Sequence, residues 1–287
     1  MPQVRVVLLG LLAAVLGALS TVCLSRAANQ LGVRATAAVS GLYGLGLGLG
    51  VALVVDGVPR VTLTAWSWAV LAGGLSLVGN ALFLAASRRA PLAVVAPVTA
   101  SAGGLAAGLA VVTGAAVTAG TLIGALLLTV GVVLVARGTV RAPEGRARLR
   151  GVVLACASAL ALAASYLAIG QAEVGVGATW AYVCLMVLVL LVWTIPTALR
   201  GGLSLGHPAV KWVLLAEAAG VGVFTVLGRA VAIDPVLSSL IYSTYALLAG
   251  AFSLAVLHER PGRMELTGAA VALAASALLV AVASPVR

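Results

Sequence analysis

Glu217 is the residue whose type and position carry the most chemistry in this sequence, because it is an acid inside a long apolar run. It lies a few residues after Trp212, at a distance of roughly 7–8 Å along a helix. A carboxylate in an apolar medium is costly unless it faces water or a partner. Glu217 could therefore bind a cationic group or carry a coupling proton. The alternative is that its helix begins later and the side chain reaches an aqueous interface.

Other polar side chains follow helical stripes in neighbouring apolar runs, where residues at i, i+4 and i+7 share one face. Trp180 could add an aromatic side chain to the same lining. Pro97 could interrupt its helix and free backbone carbonyls toward a cavity. Simpler interpretations exist, because Ser bonds to its own helix backbone and Asn joins neighbouring helices. We expect the stripes to border one substrate pathway, formed by Ser76, Asn80, Pro97, Ser101, Tyr166, Glu217, Ser238, Tyr242 and Tyr245.

The sequence has no pattern that is typical of an enzyme. His207 and His258 both lie in connectors, and the three cysteines are widely spaced within apolar runs. The alternating glycines at 44–50 cannot form a phosphate loop, because no strand precedes them and no Lys follows. They favour close helix packing instead. We therefore expect no catalytic residue, no metal site and no cofactor.

The composition indicates which elements hold these residues. The chain has 287 residues, of which 63% are hydrophobic and 8% charged, and its mean hydropathy is +1.21. Soluble proteins have roughly 25% charged residues, so this chain needs a lipid bilayer as its partner. The net charge of +10 does not indicate a nucleic-acid partner, because Lys and Arg lie between apolar runs with no interleaved aromatic residues. We expect a multi-pass protein of the cell (plasma) membrane, as a monomer or a homodimer.

A membrane-spanning helix needs about 20 mostly apolar residues. The connectors between such segments are short and hold the charges and prolines. The predicted fold class is therefore an all-α integral membrane protein. Its ten predicted transmembrane helices lie at 6–25, 37–55, 66–87, 92–112, 119–136, 151–169, 178–199, 211–232, 237–256 and 265–283.

The two halves of the chain look related, and the second is predicted to be inverted. A shift of 144 residues aligns Trp68 with Trp212 and Pro91 with Pro235 without a gap. Each half has five spans, an odd number, so equivalent loops should face opposite sides of the membrane. The loop before Pro91 is basic and the loop before Pro235 is acidic, as an inversion requires. We expect a first five-helix repeat at 1–136, a basic connecting loop at 137–150 and a second five-helix repeat at 151–287.

The distribution of basic residues predicts the orientation. Of the 17 Lys and Arg residues, 13 lie in the odd-numbered connectors. Short basic loops stay in the cytoplasm, so this bias places both termini outside.

Short motifs follow one another in the second half. Gly228-Arg229-Ala230 leads toward Asp234-Pro235, then come Leu257-His258-Glu259-Arg260 and Glu265-Leu266-Thr267-Gly268. With five plus five spans and a basic central loop, this order resembles the EamA-type branch of the drug/metabolite transporter superfamily. Glu265 stands where that family more often has Gln. The first half lacks the Glu-Arg pair between spans four and five.

The resemblance implies a central cavity bordered by spans three, four, eight and nine. It also implies secondary transport by alternating access, most often export, of amino acids, metabolites or drugs. It implies cytoplasmic termini, opposite to the charge bias. Two alternatives remain: a cation channel or facilitator, which a single intramembrane acid supplies poorly, and a membrane enzyme or scaffold without transport, for which His258 and Glu259 are the candidate pair.

Overall fold

The structure is a computed structural model that describes residues 2–59, 62–90, 94–95, 98–99, 101–112, 145–203, 205–245 and 248–249, with isolated positions between 123 and 134 and between 263 and 274. Within these ranges the chain is helical and contains no strand. The helices are α1 (Pro2–Leu31), α2 (Val33–Val55), α3 (Leu63–Ser87), α4 (Ala102–Val112), α5 (Gly145–Gly175), α6 (Ala178–Val189), α7 (Ile195–Ala198), α8 (Val210–Ile233) and α9 (Pro235–Ser243). A π-helical turn at Leu190–Thr194 joins α6 to α7.

Six described helices are long and apolar enough to cross a membrane, counting α6 and α7 as one rod. The prediction of an all-helical protein with long apolar helices is therefore confirmed. Predicted spans four and nine contain the shorter helices α4 and α9. Predicted spans five and ten lie largely outside the described residues.

Several helices are longer than the apolar segments that predicted them. α1 has 30 residues and α5 has 31. α5 begins at Gly145, so residues 145–150 of the predicted connecting loop are helical. Arg146, Arg148 and Arg150 lie in this extension, and Arg is a good helix former. The helix therefore continues beyond its apolar section.

Small residues fill the space between helices. Ala14 and Ala18 of α1, and Ala155 and Ala159 of α5, are fully buried and recur every fourth residue. Many large apolar side chains point outward, and Leu63 is 88% exposed. Small residues let helix backbones approach closely, and an apolar exterior suits lipid.

The helix contacts come in matching sets. The most extensive contacts join α3 to α5 and α1 to α8. The contact between α3 and α6 corresponds to the contact between α8 and α2. The contact between α4 and α5 corresponds in the same way to the contact between α9 and α1. Two further pairs, α2 with α6 and α4 with α9, pack against each other.

Two glycines make the turns that open α2 and α6. Gly32 has φ 83° and precedes α2, and Gly177 has φ 94° and precedes α6. Glycine adopts this left-handed region without the steric penalty of a side chain. α9 begins differently: the Asp234 carboxylate accepts a hydrogen bond from the Leu237 amide at 2.9 Å, and Pro235 occupies the first helical position.

Candidate functional site

A cavity of about 140 Å³ lies among α1, α2, α3, α5, α6, α8 and α9. Pro97 lies outside the described residues. Ser101 and Ser238 are buried but are not among the described residues that line the cavity. Six of the predicted pathway residues do line it: Ser76, Asn80, Tyr166, Glu217, Tyr242 and Tyr245.

Glu217 lies on α8 with its side chain directed into the protein, and the residue is only 4% exposed. The Tyr182 hydroxyl of α6 donates a hydrogen bond to its Oε2 atom at 2.5 Å. Ser40 of α2 lies beside the same carboxyl group. Glu217 therefore does not reach an aqueous interface along the outside of the helix, and α2, α6 and α8 together enclose it.

The glycines of α2 make room for this acid. A Cβ on Gly44 would lie 2.8 Å from Glu217 Oε2 and 3.0 Å from the Tyr182 hydroxyl oxygen. A Cβ on Gly48 would lie 2.8 Å from the Tyr182 ring. Gly46 and Gly50, which alternate with them, have no such neighbour within 4 Å among the described residues. Close helix packing is therefore seen at Gly44 and Gly48, and for Gly46 and Gly50 it stays a prediction.

Aromatic rings form a second component of the lining. Tyr166 meets Tyr242 edge to face with ring centroids 5.3 Å apart, and Tyr242 stacks on Tyr245 at 5.1 Å. Tyr182 meets Phe224 edge to face at 5.3 Å. Four of the five tyrosines in the chain line this one cavity. The tyrosines are therefore concentrated in this cavity.

The hydroxyl groups of the lining fall into two kinds. Ser76 Oγ bonds to Ser165 Oγ at 2.6 Å, and Ser165 donates to the Ala72 carbonyl, so this pair also joins α3 to α5. The Thr99 hydroxyl is buried and has no hydrogen-bond partner among the described residues, and the buried Ser40 hydroxyl lies beside the Glu217 carboxyl group. They are available to a polar molecule in the cavity.

Three residues with predicted places in the pathway have other contacts. The Ser101 hydroxyl donates to the Val98 carbonyl at 2.7 Å, and the Ser238 hydroxyl donates to the Asp234 carbonyl at 2.6 Å. Both hydroxyls bond to nearby backbone of their own segment, which is the simpler interpretation considered for them. Trp180 lies near the start of α6, where its indole N–H donates to the Gly57 carbonyl at 3.2 Å.

A charge cluster lies at the helix ends beside Trp180. Arg229 of α8 has one guanidinium nitrogen 3.7 Å from Asp56 and another 3.8 Å from Glu173. Asp56 also accepts a hydrogen bond from the Thr179 amide, and Glu173 accepts one from the Ala178 amide. The cluster therefore ties the ends of α2, α5 and α8 to the beginning of α6.

The cavity lining also contains Ser40, Tyr182 and Thr99, which were not predicted from the sequence. Gly44 was predicted only to pack closely against a neighbouring helix. Tyr182 carried a signal, because a tyrosine in the middle of an apolar run needs a polar neighbour for its hydroxyl. Gly44 carried no signal for the cavity, since its partner was not visible in the sequence. In the ranges that the structure describes, no three His, Cys, Asp or Glu side chains come together to hold a metal ion.

Comparison with known proteins bears on the fold alone. No protein-family model and no curated protein matches the sequence. Among 26 matching chains of solved structures, one described as "Crystal structure of protein" has a TM-score of 0.64 and 20% sequence identity. The match covers 98% of this chain and 99% of the other. The protein thus shares its helical fold, over nearly its full length, with a solved structure.

Proposed function

We propose that this chain is a secondary transporter of small organic solutes in the cell membrane, an EamA-type member of the drug/metabolite transporter superfamily. The main observation in support is the cavity, where one buried acid and several polar side chains face a common space among apolar helices. Polar groups within membrane helices are costly, and a solute pathway is a frequent reason for them.

The matching helix contacts support ten spans in two inverted repeats. The two halves correspond if α1 is exchanged with α5, α2 with α6, α3 with α8 and α4 with α9. This exchange turns the contact α3–α5 into α8–α1, and α3–α6 into α8–α2. The same exchange turns α4–α5 into α9–α1 and leaves α2–α6 and α4–α9 unchanged. Gly32 and Gly177 then mark the same turn in each half. A two-fold relation of this kind is typical of inverted-repeat transporters.

The two ends of the cavity support alternating access. Its lining reaches Leu24 of α1 and Val33, the first residue of α2, beside Arg26 and Arg34. At the other end the lining stops at Ile169 and Leu227, and the Arg229 cluster follows within a turn of each helix. The structure therefore fits a state closed at the cluster end. Under the positive-inside rule, the cavity would face the cytoplasm, the side from which an exporter loads.

Counterflow in liposomes tests the proposal. The purified full chain is reconstituted, and uptake of trace labelled solutes is measured with and without the same unlabelled solute inside. The panel covers amino acids, amines, organic acids and neutral metabolites. We expect at least one solute to be accumulated transiently against its gradient, because a carrier exchanges solutes across its two states. Downhill leak without this acceleration would indicate a channel. Uptake no faster than in protein-free liposomes, for every solute, would refute transport.

A further inference from the structure

We propose that the cavity binds a small monovalent organic cation, an ammonium group attached to one aromatic ring or an apolar body of similar size. This inference rests on the proposed transport function and names its substrate class. It separates cations from the amino acids and acids that the transport proposal also admits. The charge, the ring faces and the hydroxyl groups of the cavity each support it.

The charge balance of the cavity favours a cation. Among the described residues that line the cavity, Glu217 is the only one with a carboxyl side chain, and none is Arg, Lys or His. The apolar runs at 92–136 and 266–286 add no basic side chain, since their sequences contain no Arg, Lys or His. A carboxylate in such a place gains from a cationic partner. An anion, or the carboxylate of an amino acid, would find no cationic partner and would be repelled by Glu217.

The rings supply the second half of a cation site. The face of an aromatic ring is electron-rich, and it attracts an ammonium group within about 6 Å of the ring centroid. Tyr182, which donates a hydrogen bond to Glu217, meets Phe224 edge to face. Tyr166, Tyr242 and Tyr245 form a contiguous cluster in the same lining. Only 5% of the chain is aromatic, so this concentration is a specific feature of the cavity.

The hydroxyls of Ser40 and Thr99 complete the recognition. Buried polar groups in proteins nearly all have hydrogen-bond partners. Thr99 has none among the described residues, and the Ser40 hydroxyl lies against the Glu217 carboxyl group. Both residues line the cavity. Their oxygen atoms can accept hydrogen bonds from the N–H groups of a primary or secondary ammonium. The Glu217 carboxylate, which already accepts a hydrogen bond from Tyr182, can accept another from the remaining N–H group of the ammonium.

The size of the cavity limits the ligand. Its volume of about 140 Å³ is close to the ~150 Å³ of a protein cavity that takes up benzene. One ring with a short ammonium side chain is therefore near the upper limit for this state.

Binding of matched probes to the purified full chain tests the inference without requiring transport. Equilibrium dialysis in detergent compares labelled 2-phenylethylammonium, 2-phenylethanol, 3-phenylpropionate and phenylalanine, which share a ring and differ in charge. We expect the ammonium probe to bind roughly tenfold more tightly than the other three. Glu217→Gln should remove this preference, and Glu144→Gln, the same change in the central connecting segment, should retain it.

A second pair of variants tests the ring faces and does not depend on the folding of Glu217→Gln. Tyr242→Leu should weaken binding of the ammonium probe severalfold, whereas Tyr242→Phe keeps the ring and should retain more of the affinity. Equal binding of all four probes, or tighter binding of phenylalanine or the acid, would overturn the inference. So would equal affinity in the Leu and Phe variants. If counterflow of any solute is observed, the transport proposal stands whatever the binding results are. If the cation binds preferentially but no solute moves, transport is refuted and the cation site stands.

Discussion

Replacing Gly44 by alanine tests whether α2 is shaped around the Tyr182–Glu217 pair. The added Cβ would lie 2.8 Å from Glu217 Oε2 and 3.0 Å from the Tyr182 hydroxyl oxygen, closer than ordinary van der Waals contact. It would also collide with the Met186 sulfur, which can move away because Met side chains are flexible. The acid and the phenol are joined by a hydrogen bond and packed on several sides, so they cannot move as easily. Gly46→Ala is the matched control, since its Cβ would meet no neighbour within 4 Å in the part of the chain that the structure describes.

The expected magnitude follows from comparing the two variants. Alanine in a helix interior is more favourable than glycine by roughly 0.8–1 kcal/mol, and this gain is common to both positions. Overpacking typically costs about 1–3 kcal/mol, and it applies to Gly44→Ala alone. We therefore expect Gly44→Ala to have a free energy of unfolding lower than that of Gly46→Ala by about 1–3 kcal/mol. If the Tyr182–Glu217 bond also breaks, a further ~1.5–3 kcal/mol is lost.

The assay is reversible unfolding in one detergent, followed by binding of 2-phenylethylammonium to each folded variant. Gly44→Ala should be the less stable variant and should bind the probe more weakly, because its Cβ displaces the carboxyl group. Gly46→Ala should bind as the unmodified chain does. Equal stability and equal binding in the two variants would show that Gly44 does not shape the site, and the packing argument would be wrong.

Four further predictions concern other parts of the molecule. If Glu217 carries a coupling proton, transport in liposomes should vary with pH in the unmodified chain and lose that dependence in Glu217→Gln; an unchanged pH profile would remove Glu217 from coupling. Arg229→Gln should leave thermal stability nearly unchanged, because partly exposed ion pairs contribute about 0–1 kcal/mol each. In a chain without native cysteines, however, Arg229→Gln should make a Leu227→Cys side chain react faster with a membrane-impermeant thiol reagent. Equal labelling with and without the Arg229 change would argue that the cavity is not closed at the Arg229 cluster. Ser158→Ala should lower the free energy of unfolding by roughly 0.6 kcal/mol, since Ser158 donates to the Gly79 carbonyl of α3 at 2.8 Å, whereas the exposed Ser67→Ala should not; no difference between the two would contradict this. A single cysteine at Ala142 should be labelled only from the cytoplasmic side, and labelling from outside would reverse the predicted orientation.

The six long helices could be predicted because lipid imposes one strong rule on sequence. A segment that crosses a bilayer must satisfy its backbone internally and be apolar along most of its length. The positions at which the helices begin and end were harder to predict, as α5 illustrates. Its first residues are polar, which favours a loop, although arginine-rich sequence can extend a helix into water.

The site was only partly predictable, because partners in a helical bundle are far apart in sequence. Glu217 was found as an acid in an apolar run, but Tyr182 and Ser40 lie on two other helices and became its neighbours only in the fold. Helical stripes located Tyr242 and Tyr245 correctly in the cavity lining. The same rule could not separate Ser76, which lines the cavity, from Ser238, whose hydroxyl bonds to backbone at its own helix start.

The two glycine turns give the molecule an internal indicator of its state. A Cβ on Gly177 would collide with the Asp56 carboxylate, whereas no described residue lies within 4 Å of the Cβ position of Gly32. In the proposed repeat these are the same turn, enclosed at the closed end of the cavity and open at the other. A change of access that exchanges the two halves would enclose Gly32 and release Gly177. Hydrogen exchange at these two amides, each bonded to the preceding helix, would then change in opposite directions, and their ratio would report which side of the membrane the cavity faces.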